Sequence, residues 1–112
     1  MDCLFCKIAA GQIASRKVWE DARILAFEDI HPAAPTHILL IPKQHISGMD
    51  AAEAAHDELL GYLQRMAAQL ARERKLTGGY RIVVNAGPDA GQSVFHLHVH
   101  LLGGRPMSWP PG

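Results

Sequence analysis

Three histidines, His96, His98 and His100, occupy alternate positions near the end of the chain, and the residues between and beside them are apolar. The apolar residues are Phe95, Leu97, Val99 and Leu101. Strict alternation over this length predicts a strand with one face on a core, so that the three imidazoles share the opposite face. Imidazoles fill a core poorly but bind phosphate and metal ions well. The pattern therefore predicts a functional site on this face.

Composition limits the classes of partner. The 112 residues are predicted to form one domain, 1–112, with 48% apolar and 20% charged residues. Eleven basic and eleven acidic side chains cancel, so the chain lacks the basic excess typical of nucleic-acid binding. No apolar run approaches the roughly 20 residues of a membrane span, and the N-terminus does not resemble a signal peptide. We therefore expect a cytoplasmic protein with neither nucleic-acid nor membrane partners.

Apolar spacing, glycines and prolines predict an α+β fold. A short helix is predicted over residues 3–10, ended by Gly11, and a long helix from a capping-box-like start at Asp50 to about Lys75. The long helix carries one apolar stripe, which we interpret as core packing. The stripe consists of Leu59, Leu63, Met66 and Leu70. Strands are predicted at 16–20, 23–27, 36–41, 80–85 and 93–102.

A glycine-containing loop, residues 86–93, leads into the histidine segment. Glycines let a backbone turn its N–H groups toward an anion, and such loops form phosphate nests. Most Gly-Pro-Asp loops are simple turns, so this loop gains weight only from its position before His96.

Together these segments resemble the histidine-triad family, whose mark is His-x-His-x-His followed by apolar residues. The segments that carry the resemblance are 27–30, 34–43 and 91–100. The tail Leu102-Gly103-Gly104-Arg105-Pro106-Met107-Ser108-Trp109-Pro110-Pro111-Gly112 is similar to that of the Hint branch, the histidine triad nucleotide-binding proteins. The resemblance implies a five-stranded antiparallel sheet with one long and one short helix on one side of it. It also implies a homodimer with a ten-stranded sheet, in which the tail, 103–112, packs at the interface.

The resemblance further implies a purine nucleoside phosphoramidase, which cleaves the P–N bond of adenosine 5′-phosphoramidates. It assigns the nucleophile to His98, through a covalent nucleotidyl-histidine. Neutral imidazole attacks phosphorus without first losing a proton, which agrees with this role. The resemblance also implies that His100 is the donor to phosphate oxygens. His37 is implied to hold the triad in the right tautomer and to contribute to the proton relay.

The implied nucleotide site extends beyond the histidines. Asp29 is expected to accept hydrogen bonds from the ribose hydroxyls. The base pocket is expected to consist of Phe5, Ile8, Phe27, Ile30 and Leu39, although any of these could be ordinary core residues. The phosphate contacts are expected from Asn85, Gly91, Gln92 and Ser93, besides His98 and His100.

Cys3 and Cys6 have the spacing of zinc ligands, and a structural zinc needs four ligands. The resemblance to some bacterial family members supplies His45 and His96 as the other two. The alternative is a pair of reduced cysteines that pack as small apolar residues. Many Hint-branch proteins lack these cysteines, so the subgroup stays open. His31 and His56 match nothing in the family and are predicted to lie on the surface.

Two other functions remain open from the sequence, and His100 argues against a third, nucleotidyl transfer. The same chemistry could act on dinucleoside polyphosphates, although the tail favours the phosphoramidase branch. A nucleotidyl transferase would resemble the family with glutamine in place of His100. The protein could also bind a nucleotide or a partner, with incidental turnover, because a slow enzyme and a binding protein can share every residue.

Overall fold

One antiparallel sheet of five strands forms the centre of the fold, in the order β1-β2-β3-β5-β4. The computed structural model describes residues 3–112. The strands are β1 Lys17–Glu20, β2 Ile24–Glu28, β3 Thr36–Pro42, β4 Tyr80–Val83 and β5 Val99–Gly103. The helices are α1 Leu4–Ala9 and α2 Asp57–Glu73. These elements confirm the predicted α+β fold with one short and one long helix.

The two helices cover opposite faces of the sheet. On one face, Ile38 and Leu40 of β3 pack with the apolar side of α2. On the other face, Leu39 of β3 packs with Phe5 and Ile8 of α1. The expectation that both helices lie on one side is therefore wrong. Because β2 and β3 are apolar at consecutive positions, both of their faces need a cover.

The long helix begins later than predicted. Two short 3-10 turns, Met49–Ala51 and Ala54–His56, precede α2. The capping box lies at the second turn, where the backbone N–H of Glu53 donates to Nδ1 of His56 at 3.0 Å. The predicted stripe is confirmed, because three of its four residues are almost fully buried and the fourth packs against the same core. No helix within residues 3–112 is long and apolar enough to cross a bilayer.

The histidine segment is only partly a strand. Sheet pairing begins at Val99, so His96, which lies in a bend, and His98 both precede β5. Phe95 is half exposed, which makes its prediction as a core residue wrong. The alternation holds from Leu97 onward. Leu97, Val99 and Leu101 are buried on the α2 side, so the histidines between them face the α1 side.

Candidate active site

A cleft of about 320 Å³ opens on the α1 side of the sheet, beside His98 and His100. Its apolar wall comes from α1, β2 and β3, where the rings of Phe5 and Phe27 meet edge to face with centroids 5.6 Å apart. The Phe5 ring also stands edge-on to His98, with a centroid distance of 5.1 Å. An apolar wall beside a few convergent polar groups is the usual composition of a small-molecule site.

The structure brings most of the predicted nucleotide-binding residues to this cleft. Those that line it are Phe5, Ile8, Phe27, Asp29, Ile30, Leu39, Ser93, His98 and His100. Ile30 is 82% exposed, so it forms the rim and not the floor. Residues 13–15 also line the cleft, and the sequence analysis did not identify them.

Asn85, Gly91 and Gln92 do not line the cleft. The Gln92 side chain is buried in hydrogen bonds with the backbone. It accepts from the Gly87 N–H at 2.9 Å and donates to the Ser47 carbonyl at 2.8 Å. Gln92 therefore holds two loops together. Asn85 lies beside Gly91, which has a positive φ of 98° and ends the short turn of this loop.

Two further residues lie in places that the sequence did not indicate. His31 is exposed, as predicted, and it also lines the cleft, which the sequence did not indicate. Ser15 also lines it, and its hydroxyl oxygen is buried without a hydrogen-bond partner. No sequence signal marks Ser15, because a single serine after a short helix is common. An unpaired buried hydroxyl in a cleft wall is a group that a bound ligand would satisfy.

A single hydrogen bond determines which nitrogen of His98 can react. Nδ1 lies 2.7 Å from the carbonyl oxygen of His96. A carbonyl only accepts, so Nδ1 carries the proton and the neutral ring has its lone pair on Nε2. The His98 side chain lines the cleft and is 6% exposed. The backbone therefore fixes His98 in the tautomer that a nucleophile requires.

His37 and His100 form a second oriented pair. The Ala33 N–H donates to Nδ1 of His37 at 3.0 Å, so the proton of neutral His37 lies on Nε2. Nε2 of His37 lies 2.9 Å from Nδ1 of His100 and donates to it. His100 therefore carries its own proton on Nε2, which is buried and has no partner. A buried N–H without an acceptor, in a residue that lines the cleft, is suited to a phosphate oxygen.

Burial keeps both rings of this pair neutral. Burial, the largest cause, together with the neighbouring His98 and His37 lowers the pKa of His100 to about 4, although Asp29 opposes the shift. Burial also lowers the pKa of His37, although the Asp29 carboxylate, 3.5 Å from Nε2, opposes the shift. At neutral pH the pair is a fixed chain of neutral donors, which ends at the cleft.

Cys3, Cys6, His45 and His96 form a four-residue cluster, and their ligand atoms lie within 4.8 Å of one another. The measured separations between thiol sulfur atoms and imidazole Nδ1 atoms are 3.3 to 3.5 Å, and the two Nδ1 atoms are 3.2 Å apart. Tetrahedral zinc, with bonds of about 2.0–2.3 Å, places its ligand atoms roughly 3.3–3.8 Å apart. The cluster therefore fits a tetrahedral zinc ion.

The tautomer of His96 supports this fit. Its Nε2 lies 2.7 Å from the carbonyl oxygen of Pro42 and so donates to it, which leaves the lone pair on Nδ1, in the middle of the cluster. Burial raises the pKa of the Cys6 thiol, and its hydrogen bond with Cys3 raises it further. Two adjacent thiols in such a place become thiolates readily only when a cation offsets their charge.

A second group, Asp29, His37 and His100, also has the ligand types of a metal site. Here the tautomers oppose metal binding. Nε2 of His37 must hold a proton because Nδ1 already accepts from Ala33, so Nε2 has no lone pair to offer. The two groups therefore differ in chemistry, and the cysteine cluster is the one suited to a metal.

Comparison with known proteins agrees with this architecture. A family model described as the HIT domain matches residues 10–107. The chain is 53% identical over 111 residues to a 14 kDa zinc-binding protein of Zea mays, covering 97% of this chain and 87% of the relative. It is 50% identical over 111 residues to adenylylsulfatase HINT1 of Arabidopsis thaliana, covering 97% of this chain and 76% of the relative.

A solved structure is also closely similar. The crystal structure of a HIT family hydrolase from Legionella pneumophila Philadelphia 1 superposes with a TM-score of 0.97 at 51% sequence identity. The match covers 99% of this chain and 100% of that one. The chain therefore belongs to the histidine-triad family, and its relatives support a place in the Hint branch of that family.

Proposed function

We propose that this chain hydrolyses the P–N bond of purine nucleoside 5′-phosphoramidates, with adenosine as the preferred nucleoside. The observation that carries the proposal is the hydrogen bond from Nδ1 of His98 to the His96 carbonyl, because it leaves the lone pair on Nε2. A fixed neutral imidazole beside an apolar cleft is a nucleophile that needs no separate base.

In the first step, Nε2 of His98 attacks phosphorus and the P–N bond breaks. The amine leaves with one proton taken up from the medium. Water then attacks the nucleotidyl-imidazole, which releases the nucleoside monophosphate, regenerates His98 and returns one proton. One water molecule is consumed overall. Because His100 offers an N–H that has no protein acceptor, it donates to a non-bridging phosphate oxygen as charge develops there.

The geometry favours one of the two roles that the resemblance implies for His37. Its Nδ1 accepts from the Ala33 amide, which has no proton to give up. His37 therefore cannot replace a proton that it passes on, and a proton relay through it has no source. We assign His37 to holding the tautomer of His100.

The nucleoside would lie along the rest of the cleft. Oδ1 of Asp29 accepts from the His31 N–H at 2.8 Å, which orients the carboxylate. The ribose hydroxyls would donate to this carboxylate, since a carboxylate accepts several hydrogen bonds. The base would contact Phe5, Phe27 and Leu39, which present apolar surface in the same cleft as His98 and His100.

We also propose a structural zinc ion held by Cys3, Cys6, His45 and His96. The fit of the ligand separations supports it, and a relative is named as a zinc-binding protein. When bound, the ion would link the start of α1 to the histidine segment, which are 93 residues apart in sequence. Its contribution is to stability, and the chemical step does not require it.

The homodimer remains a proposal. β4 is an edge strand of the five-stranded sheet, so its outer backbone groups are free to pair with a second copy and extend the sheet to ten strands. In the single chain Trp109 is 81% exposed, which agrees with a tail that packs on a partner.

A second candidate reaction is the hydrolysis of adenylyl sulfate, because the Arabidopsis relative is named an adenylylsulfatase. The same attack by His98 would form the same adenylyl-histidine, and the leaving group would be sulfate, which needs no proton. The two reactions differ only in the leaving group, and the cleft beside His98 does not select between them.

Purified protein should therefore be incubated in parallel with adenosine 5′-phosphoramidate, adenylyl sulfate and a diadenosine polyphosphate, with His98→Ala as control. We expect release of AMP and amine by the wild type, and none by the control. Fastest turnover of adenylyl sulfate or of the polyphosphate would replace the proposed substrate. Tight nucleotide binding without turnover of any of the three would make the chain a binding protein.

A further inference from the structure

The C-terminal tail lies directly against the loop that precedes β3. Gly104 has a φ of 94°, and a Cβ atom built on it would lie 2.9 Å from Cβ of Pro35. Only glycine allows this approach, since any side chain would push the two segments apart. The close packing of the tail on the loop therefore requires glycine in the Gly103-Gly104-Arg105 sequence, whatever the substrate is.

Arg105, the next residue of the tail, connects the tail to the loop before β3. Nη2 of Arg105 donates to the carbonyl oxygen of Ala33 at 3.0 Å. The N–H of the same Ala33 donates to Nδ1 of His37 at 3.0 Å. Ala33 is thus held by the tail on one side, and it holds a triad-associated histidine on the other.

The tautomers of His37 and His100 depend on the Ala33 N–H. If the Ala33 N–H turns away, only the more distant Asp29 carboxylate, 3.5 Å from Nε2 of His37, still favours a proton on that nitrogen, and the other tautomer of the ring becomes more accessible. In the other tautomer, Nε2 of His37 carries a lone pair and must accept from Nδ1 of His100. His100 would then have no proton on Nε2, and the cleft would lose its donor.

We propose that Arg105 is a positioning residue, which fixes the tautomers of His37 and His100 through Ala33. The inference rests on the proposed function for its catalytic consequence, because it concerns the phosphate donor of that reaction. The tautomers themselves are independent of any substrate. Arg105 is exposed, and its hydrogen bonds within the described residues go to the Pro106 and Ala33 carbonyls and not to residues that line the cleft, so removing its side chain should leave the fold intact.

The test uses the full chain and its Arg105→Ala and Arg105→Lys variants. Long-range proton–nitrogen correlation spectra of the imidazoles distinguish protonated from unprotonated ring nitrogens. In the wild type we expect Nδ1 of His37 to be unprotonated and Nε2 protonated. In Arg105→Ala both His37 nitrogens should move toward the averaged positions of a tautomer mixture. Arg105→Lys keeps a donor and should restore most of the wild-type spectrum.

Arg81→Ala is the matched control. Nη2 of Arg81 also donates to a tail carbonyl, that of Ser108 at 2.9 Å, but it has no contact with Ala33 among the hydrogen bonds of the described residues. The control should leave the His37 nitrogens at their wild-type positions. An unchanged spectrum in Arg105→Ala would overturn the proposal. An equal shift in Arg81→Ala would also overturn it, because the effect would then belong to the tail in general.

Turnover supplies the second readout. On adenosine 5′-phosphoramidate, kcat of Arg105→Ala should fall about 3- to 10-fold, the effect typical of losing one hydrogen bond, with partial recovery in Arg105→Lys. An unchanged kcat together with a shifted His37 spectrum would overturn the catalytic part. If the wild type does not cleave the phosphoramidate at all, the proposed function fails, while the tautomer measurement still decides the role of Arg105.

Discussion

Acidification should destabilise this protein through His100, whose half-buried ring lies beside those of His37 and His98. Its pKa is lowered from 6.5 to about 4 in the folded chain. Between these values the unfolded chain binds a proton that the folded chain does not, so stability falls as the pH is lowered through this window. The effect begins below pH 6.5 and is complete near pH 4.

The magnitude follows from the same two values. At about pH 5, linkage gives a loss of about 2 kcal/mol relative to neutral pH. The ring keeps some contact with water through the open cleft, so we expect about 1–2 kcal/mol in practice. Unfolding by urea at neutral pH and at about pH 5 measures this directly as the change in the free energy of unfolding.

His100→Gln is the matched variant, because its side-chain oxygen accepts from His37 but does not titrate. His37 and His96, whose pKa values are also lowered by burial, remain in both proteins. The wild type should therefore lose about 1–2 kcal/mol more than His100→Gln over the same pH interval. Equal losses in the two proteins would refute the reasoning that burial holds this imidazole neutral.

Three further outcomes are expected. Elemental analysis should find close to one zinc ion per chain, and a chelator should lower the melting temperature while initial rates of still-folded protein change little. Metal-free protein of equal stability would leave the cysteines as packing residues. His100→Ala should keep the fold but lose about 3–4 kcal/mol of transition-state stabilisation, measured as kcat/KM, through loss of one phosphate donor. Light scattering should give the mass of a dimer, and a mass of 12.2 kDa at micromolar concentration would exclude it.

Local spacing predicted the shared face of the histidines and the Cys3/Cys6 pair, whereas His45, His96 and the other residues of the nucleotide site came only from the family resemblance. The alternation from His96 to Leu101 determines which side chains share a face, whether or not the backbone pairs in a sheet. The prediction that the histidines share one face is therefore correct, although the predicted start of β5 is wrong. The same alternation failed at Phe95, since the chain there forms a bend before the extended segment.

Contacts between distant segments were harder to predict from the sequence. Gln92 matched a segment associated with phosphate binding, yet its amide satisfies the backbone of Gly87 and Ser47. The helix start was predicted seven residues early, because Asp50 and Glu53 imitate a capping box that Glu53 and His56 form. The tautomers of the histidines depend on the carbonyl and N–H groups that face them, and no sequence pattern specifies those.

The proposed reaction requires that Nε2 of His98 becomes covalently bonded to the nucleotide. The most direct test is to quench the protein during turnover of a slowly hydrolysed adenosine 5′-phosphoramidate and to map the adenylyl group by mass spectrometry of proteolytic fragments. We predict an adduct on His98 and none in the His98→Ala variant. An adduct on another residue, or steady turnover by His98→Ala, would contradict the account.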